Sequence, residues 1–150
     1  RRDGYVISSN EHGEEIAMPA TVTPREAFPR LIVQDVDAAI AFYRAVFGAE
    51  LMARFAEPDG LVGFAKLALG DFRLSLSEEK PEWGWNSPKS LGGSPVLIQL
   101  ELPDCDTVAE RMIAEKAVVV IPIKDRAYGK REGRICDPFG HLWILSQEVA

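Results

Sequence analysis

The sequence predicts an α+β fold in which two βαβββ modules form an eight-strand half-open barrel. Two internal similarities lead to this prediction. Residues 33–38 (VQDVDA) and 102–107 (LPDCDT) both place two acids, one residue apart, between an apolar strand and a helical pattern, at an interval of 69 residues. Residues 70–76 (GDFRLSL) and 140–146 (GHLWILS) match at an interval of 70. Two matches at nearly equal intervals indicate a duplicated unit.

The first module begins with a short apolar strand at 31–33. A helix is predicted over 36–47, because apolar residues recur there at spacings of four, three and four along one helix face. These residues are Val36, Ile40, Tyr43 and Phe47. Asp35 or Asp37 is suited to cap its start, and Gly48 is suited to end it in the left-handed conformation. Three further strands are predicted at 50–56, 61–69 and 72–77.

The second module repeats this order of elements. A strand is predicted at 96–102, and apolar residues at helical spacing mark the helix that follows it. These residues are Val108, Ala109, Met112 and Ile113. The remaining strands are predicted at 118–123, 133–136 and 142–147.

The chain divides into four segments that make up one domain and an extension. Residues 1–27 form an N-terminal extension, in which 5–8 form an extra strand, and residues 28–80 form the first module. Residues 81–95, rich in Pro, Gly, Ser and Trp, link it to the second module at 96–150. Because side chains alternate along a strand, one face of each sheet packs against its helix and the other face stays free. We expect the modules to lie side by side with their helices outside and a concave cavity between them.

Composition and charge narrow the class of protein. The net charge of −6 over 150 residues argues against a nucleic-acid partner, because phosphate binding needs a basic face. Basic residues do cluster at 124–134, but Glu132 and Asp137 dilute them. The apolar runs are too short for a membrane span, and the first residues lack the apolar core of a secretory signal. With two cysteines, read as reduced thiols, the chain is expected to be cytoplasmic.

Three stretches carry a resemblance to a known family. Residues 35–43 (DVDAAIAFY), 47–50 (FGAE) and 129–143 (GKREGRICDPFGHLW) resemble the vicinal oxygen chelate superfamily. That superfamily includes glyoxalase I, bleomycin-resistance proteins and extradiol dioxygenases, and the last stretch resembles its PhnB-like branch. The resemblance covers about 28–148 and implies the paired-module fold. Its metal-dependent members hold a divalent ion with His or Glu from the first and last strand of each module.

The positions that the resemblance assigns to metal ligands carry other residues here. Residues 28–33 contain no His or Glu, and the strand at 96–102 starts apolar, with Gln99 and Glu101 toward its far end. The last strands place Leu74, with Ser75 beside it, and Ile144 at the expected positions. The chain has two histidines, of which His141 is expected to bond to the backbone beside a turn. The sequence therefore predicts neither a metal site nor a cofactor, and Ile144 adds apolar wall to the cavity.

Seven residues are candidates for binding a ligand. Trp83 and Trp85 are suited to stack on a planar ligand from the intermodule loop, although they could also cover the sheet edge. Phe64 and Lys66 lie on the opposite strand face from Ala65 and Leu67, so they are expected to face the cavity. Two residues flank the loop at 129–133 and are candidates for the rim, with ordinary surface as the alternative. These are Tyr128 and Arg134, and Ile144 completes the set.

The primary hypothesis is a homodimer that binds or sequesters a small planar or apolar molecule without a metal, as a bleomycin-resistance protein does. Lys66 or Arg134 would meet a polar group of the ligand. The alternative is a metal-dependent lyase, isomerase or dioxygenase, which requires Gln99, Glu101 or His141 to enter the cavity. A third hypothesis is a metal-free enzyme with Arg134, Tyr128 or Lys66 as acid or base.

Overall fold

The structure is a computed structural model that describes residues 4–149. An N-terminal hairpin, β1 (Tyr5–Ser9) and β2 (Glu15–Pro19), precedes the modules. The first module consists of β3 (Arg30–Val33), α1 (Val36–Phe47), β4 (Glu50–Ala56), β5 (Val62–Leu69) and β6 (Phe72–Glu78). The second consists of β7 (Leu97–Glu101), α3 (Cys105–Ala114), β8 (Val118–Asp125), β9 (Lys130–Cys136) and β10 (Leu142–Glu148). Between them lie a 3-10 turn (Pro81–Trp83) and the short helix α2 (Pro88–Leu91).

Each module forms its own four-stranded sheet, and the α+β fold class is confirmed. The strand orders are β3-β6-β5-β4 and β7-β10-β9-β8, so the two sheets have the same topology. In both, the first strand pairs parallel to the last, and the other neighbours pair antiparallel. The sheets stay half open and do not close into a barrel.

Helix α1 begins and ends where local sequence dictates. The Asp35 side chain accepts a hydrogen bond from the Ala38 amide at 3.0 Å, which satisfies one of the free amides of the first turn. Gly48 ends the helix at φ 64°, a conformation that costs glycine little. In α3, Asp104 caps the Thr107 amide in the same way.

The helices pack together rather than lying apart on the outside of the modules. Helix α1 contacts α3 as well as its own sheet, and both belong to one apolar core. From the second module, the fully buried Trp143 packs its ring against Tyr43 and Phe47, with ring centroids 5.6 and 4.8 Å apart. The core therefore joins the helix-facing sides of both sheets and leaves their other sides, here called the open faces, away from it.

A buried carboxylate connects the two modules. Asp137, in the turn between β9 and β10, accepts from the Tyr43 hydroxyl at 2.5 Å and from the Trp143 indole at 2.9 Å. Its other oxygen accepts from the amides of Phe139 and His141, both at 2.9 Å. A buried charge with four hydrogen bonds is well compensated, so this residue fixes α1 against the turn.

His141 completes the same contact between modules. Its Nε2 lies 2.9 Å from the carbonyl oxygen of Ile32, on the outer edge of β3. The expected backbone partner of this histidine is therefore present. Among residues 4–149, no helix is long and apolar enough to cross a membrane.

Candidate ligand-binding site

The open face of the first sheet carries a cluster of aromatic and cationic side chains. Strand alternation directs Leu31 and Leu67 into the core and leaves Arg30 and Phe64 on the open face. The Arg30 guanidinium carbon lies 4.8 Å from the centroid of the Phe64 ring and 5.8 Å from that of Trp85. A guanidinium at these distances is attracted to both ring faces, so Arg30 holds the two rings in one cluster.

The tryptophans form the outer part of this cluster. Trp83 and Trp85 meet edge to face, with centroids 5.1 Å apart and an interplanar angle of 79°. The Lys80 ammonium lies 4.3 Å from the Trp83 ring. Together with Arg30, these residues line a cleft of about 190 Å³, whose lining also includes Val62, Gly63 and three glutamates, Glu57, Glu78 and Glu79. Trp83 is 60% exposed, so its ring is available to a ligand.

The loop that carries the tryptophans is fixed at both ends. Lys80 and Trp85 exchange backbone hydrogen bonds of 2.9 and 3.1 Å. Behind them, the Glu79 carboxylate accepts from the amide and hydroxyl of Ser87, at 2.9 and 2.5 Å, and from the Ser90 hydroxyl. These hydrogen bonds lower the pKa of Glu79 below its usual value, and the bond from the Ser87 hydroxyl has the largest effect. The tryptophan pair therefore sits on a held segment rather than on a free loop.

Lys66 shares the open face with Phe64 but has other partners. Its ammonium bonds to the Glu26 carboxylate at 2.8 Å and lies 4.6 Å from the Phe28 ring. Both partners come from the segment that precedes β3. Lys66 thus lies beside the aromatic cluster and is covered by residues 25–29.

The predicted residues of the second module lie on the open face of the other sheet. Arg134 and Ile144 are paired across β9 and β10. Nearby, Glu132 accepts from the Tyr128 hydroxyl at 3.0 Å and from the Ser146 hydroxyl at 2.9 Å. Partial desolvation, with the bond to Glu132 second, raises the pKa of Tyr128. On this face, hydrogen-bonded polar side chains thus surround the apolar side chain of Ile144.

Strand pairing identifies the residues on the open faces at the four positions that the family resemblance assigns to metal ligands. Arg30 pairs with Ser75 across β3 and β6, and Gln99 pairs with Ile144 across β7 and β10. The repeat-related partner of Ile144 is therefore Ser75, and the expectation of Leu74 was wrong by one residue. Leu74 faces the core instead, 5% exposed.

None of these four side chains is a carboxylate or an imidazole. Among the described residues, no group of three or more His, Cys, Asp or Glu lies close enough to hold a metal ion. Glu101, the nearest carboxylate in β7, is bonded to Gln99 at 2.8 Å and to Lys130 at 3.1 Å. These partners, Gln99 first, lower the pKa of Glu101.

The structure brings the seven predicted residues together in two groups. Trp83 and Trp85 line the aromatic cleft, and Phe64 lies beside it, in contact with Arg30 and on the same sheet face as Lys66. The group from the second module is on the other open face. The prediction missed Arg30, which contacts two of the predicted aromatics. Its position one residue before the buried Leu31 and three before the buried Val33 would have placed it on the open face.

Two βαβββ modules that share one core and keep two open faces define the class of this protein. The chain belongs to the glyoxalase/bleomycin resistance protein/dioxygenase superfamily, whose model matches residues 21–145. The match begins after the N-terminal hairpin, covers the first module and extends through the second into β10.

Relatives and solved structures are similar to this chain over most of its length. An uncharacterized protein of Mycobacterium bovis is 40% identical over 124 residues, which is 81% of this chain and 82% of that protein. A gene product of Arabidopsis thaliana has a similar structure, with a TM-score of 0.66 at 24% identity, over 84% of this chain and 99% of that one. The fosfomycin resistance protein FosX of Listeria monocytogenes, complexed with Mn(II) and sulfate, gives 0.65 at 18% identity, over 85% and 93%. At these identities the structural matches show the fold alone.

Proposed function

We propose that this protein binds and sequesters a small planar, apolar molecule without a metal ion. The observation that carries the proposal is the aromatic cleft, which the edge-to-face pair of Trp83 and Trp85 lines together with Arg30, whose guanidinium also contacts Phe64 beside the cleft. Aromatic rings on a held segment lose little conformational freedom on binding, so most of the stacking energy appears as affinity. Fixed polar groups at the rim orient a ligand without adding a reactive centre.

The metal-free part of the proposal is supported by the four positions on the open faces. Arg30 and Ser75 offer no suitable ligand, and a guanidinium repels a divalent cation. Gln99 and Ile144 leave at most one amide oxygen on the other sheet. Hard cations in proteins are held mainly by carboxylates and other oxygens, and softer ones by imidazole or thiolate. FosX was obtained with Mn(II), and nothing at these positions favours the same ion here.

We further propose that the ligand-binding form is a cytoplasmic homodimer. The cleft of about 190 Å³ is smaller than the roughly 300–1,000 Å³ of an ordinary ligand pocket. A second copy placed over the open face would supply the missing wall. Sedimentation velocity at micromolar concentration tests this, since a chain that sediments as a monomer with and without ligand contradicts it.

Binding itself is tested with the neutral apolar probe N-phenyl-1-naphthylamine, whose naphthalene ring supplies a planar surface. We expect saturable quenching of tryptophan emission. We expect Trp85→Ala to raise the dissociation constant of the probe about tenfold, which is equivalent to ~1.4 kcal/mol of stacking. Tyr5→Ala, which removes an exposed aromatic of the hairpin, serves as the matched control and keeps wild-type affinity. Far-UV circular dichroism confirms that both variants are folded.

Two results would overturn the proposal. One is the absence of saturable quenching by any planar probe of this kind. The other is an equal affinity of the wild type and Trp85→Ala, since the cleft would then not be where the probe binds.

A further inference from the structure

A second cavity lies between the two modules, away from the aromatic cleft. The pairing of β3 with β6 ends at Arg30 and Ser75, so residues 72–74 of β6 extend beyond β3. Strand β7 of the second module lies across this gap, and the space between them is a cavity of about 600 Å³. It shares no lining residue with the aromatic cleft. Its volume is that of an ordinary small-molecule pocket.

The cavity has an apolar floor and a charged rim. Leu74, Ile98, Leu100 and Trp143 form the floor. The charged lining residues are two arginines, Arg25 and Arg73, and two carboxylates, Glu26 and Asp71. This distribution suits a molecule with an apolar body and one polar end.

The charges at the rim show which polar end it is. The Glu26 carboxylate is shared by two cations: one oxygen lies 2.8 Å from the Lys66 ammonium and the other 3.7 Å from Nε of Arg73. Both cationic side chains are mostly buried, with exposures of 19% and 26%. Arg73 is held in place, because its Nη1 donates to the carbonyls of Gly70 and Phe72 at 2.9 and 3.0 Å. Two cations thus share the Glu26 carboxylate: Arg73 lines the cavity, and Lys66 lies outside its lining.

We propose that this cavity binds an apolar monocarboxylate whose carboxylate replaces that of Glu26 between Lys66 and Arg73. The apolar body then lies on the floor formed by Leu74, Ile98 and Leu100. Glu26 belongs to a segment without regular secondary structure, so its side chain leaves the site without disrupting a helix or a strand. In the unliganded chain the Glu26 carboxylate acts as an internal competitor. It lowers the affinity of the site for external anions, so that weakly binding anions do not displace it.

The test compares 2-naphthoate with its neutral isostere 2-naphthamide. A Trp83→Phe/Trp85→Phe background leaves Trp143, which lines the cavity, as the sole tryptophan. We expect naphthoate to quench Trp143 saturably. Glu26→Gln should tighten naphthoate binding about fivefold, because the ion pair of Glu26 with its cations no longer has to be broken. The affinity for naphthamide should not change. Lys66→Met should weaken naphthoate binding by a similar factor.

Glu11→Gln, which removes an exposed carboxylate from the tip of the hairpin, is the matched control and should change neither ligand's affinity. The site is overturned if naphthoate fails to bind, if Glu26→Gln leaves its affinity unchanged or lowers it, or if the amide responds to the variants as the acid does. The aromatic cleft is judged separately by N-phenyl-1-naphthylamine with wild-type tryptophans. Retained quenching by that probe together with absent naphthoate binding rejects this cavity alone.

Discussion

Among single residues, the buried hydroxyl of Tyr43 has the clearest consequence for stability. It donates to Asp137, and together with Trp143 it makes the polar contact between the modules. Burial, with the charge of Asp137 second, raises the pKa of Tyr43 well above 10.0. The folded chain therefore keeps this proton at a pH at which the unfolded chain has already released it.

The sign of the resulting pH dependence follows from linkage. The contribution of Tyr43 is complete below the unfolded pKa near 10 and is lost as the pH rises toward the folded pKa. We predict that the free energy of unfolding of the wild type falls above about pH 10 by up to ~1.4 kcal/mol per pH unit more than that of Tyr43→Phe. Near neutral pH the variant should be less stable by about 1–3 kcal/mol, because Asp137 loses a donor.

Urea unfolding at pH values around 7, 9 and 10.5 measures both effects. Parallel pH dependences in the two proteins would show that the hydroxyl is not buried against a carboxylate.

At the scale of elements, the turns on either side of β9 offer a matched pair of glycines, Gly129 before the strand and Gly140 after it. Gly140 and Gly129 both have positive φ, 91° and 85°. A Cβ on Gly140 would lie 2.8 Å from Cβ of Pro88, the first residue of α2, whereas one on Gly129 would meet nothing within 4 Å. Position 140 thus requires a glycine because its φ is positive and because a side chain there would collide with α2.

We predict that Gly129→Ala costs about 1–2 kcal/mol, the strain of a left-handed backbone alone. Gly140→Ala should cost about 1–3 kcal/mol more, because the methyl group also displaces α2. Thermal unfolding of both variants measures the difference. Equal losses of stability would indicate that α2 does not pack on this turn.

The same elements show what local sequence can predict. The bounds of α1 are those of the prediction, because apolar spacing, the Asp35 cap and Gly48 all act within the segment. Helix α2 was missed because it has four residues and its position depends on Glu79, a contact from outside the segment. Strand β2 was missed because all five of its side chains are exposed and show no alternation.

For the whole molecule, the site was predicted less completely than the fold. Period-two alternation depends only on the strand, and it predicts that Phe64 and Lys66 share the sheet face opposite Ala65 and Leu67. Whether residues of the two sheets meet depends on how the modules pack, and that is set by contacts such as Trp143 with Tyr43 and Phe47. The pattern of one strand contains no information about such contacts, so the division into two groups and the role of Arg30 were not foreseen.

The open faces also determine how the whole protein should respond to metal ions. With Arg30, Ser75, Gln99 and Ile144 at the four positions, a divalent ion gains little from the folded chain and should not stabilise it. We predict that millimolar Ni(II), Zn(II), Mn(II) or Fe(II) leaves the melting temperature unchanged within about 1 °C. A rise of several degrees with any of them would favour the metal-dependent enzymes of the superfamily.

The most direct measurement is the dissociation constant of N-phenyl-1-naphthylamine for the wild-type protein, determined once in excess EDTA and once with saturating Mn(II). Ligand binding by stacking and apolar burial predicts the same constant in both solutions. Binding that disappears in EDTA and returns with the ion would contradict a metal-independent site.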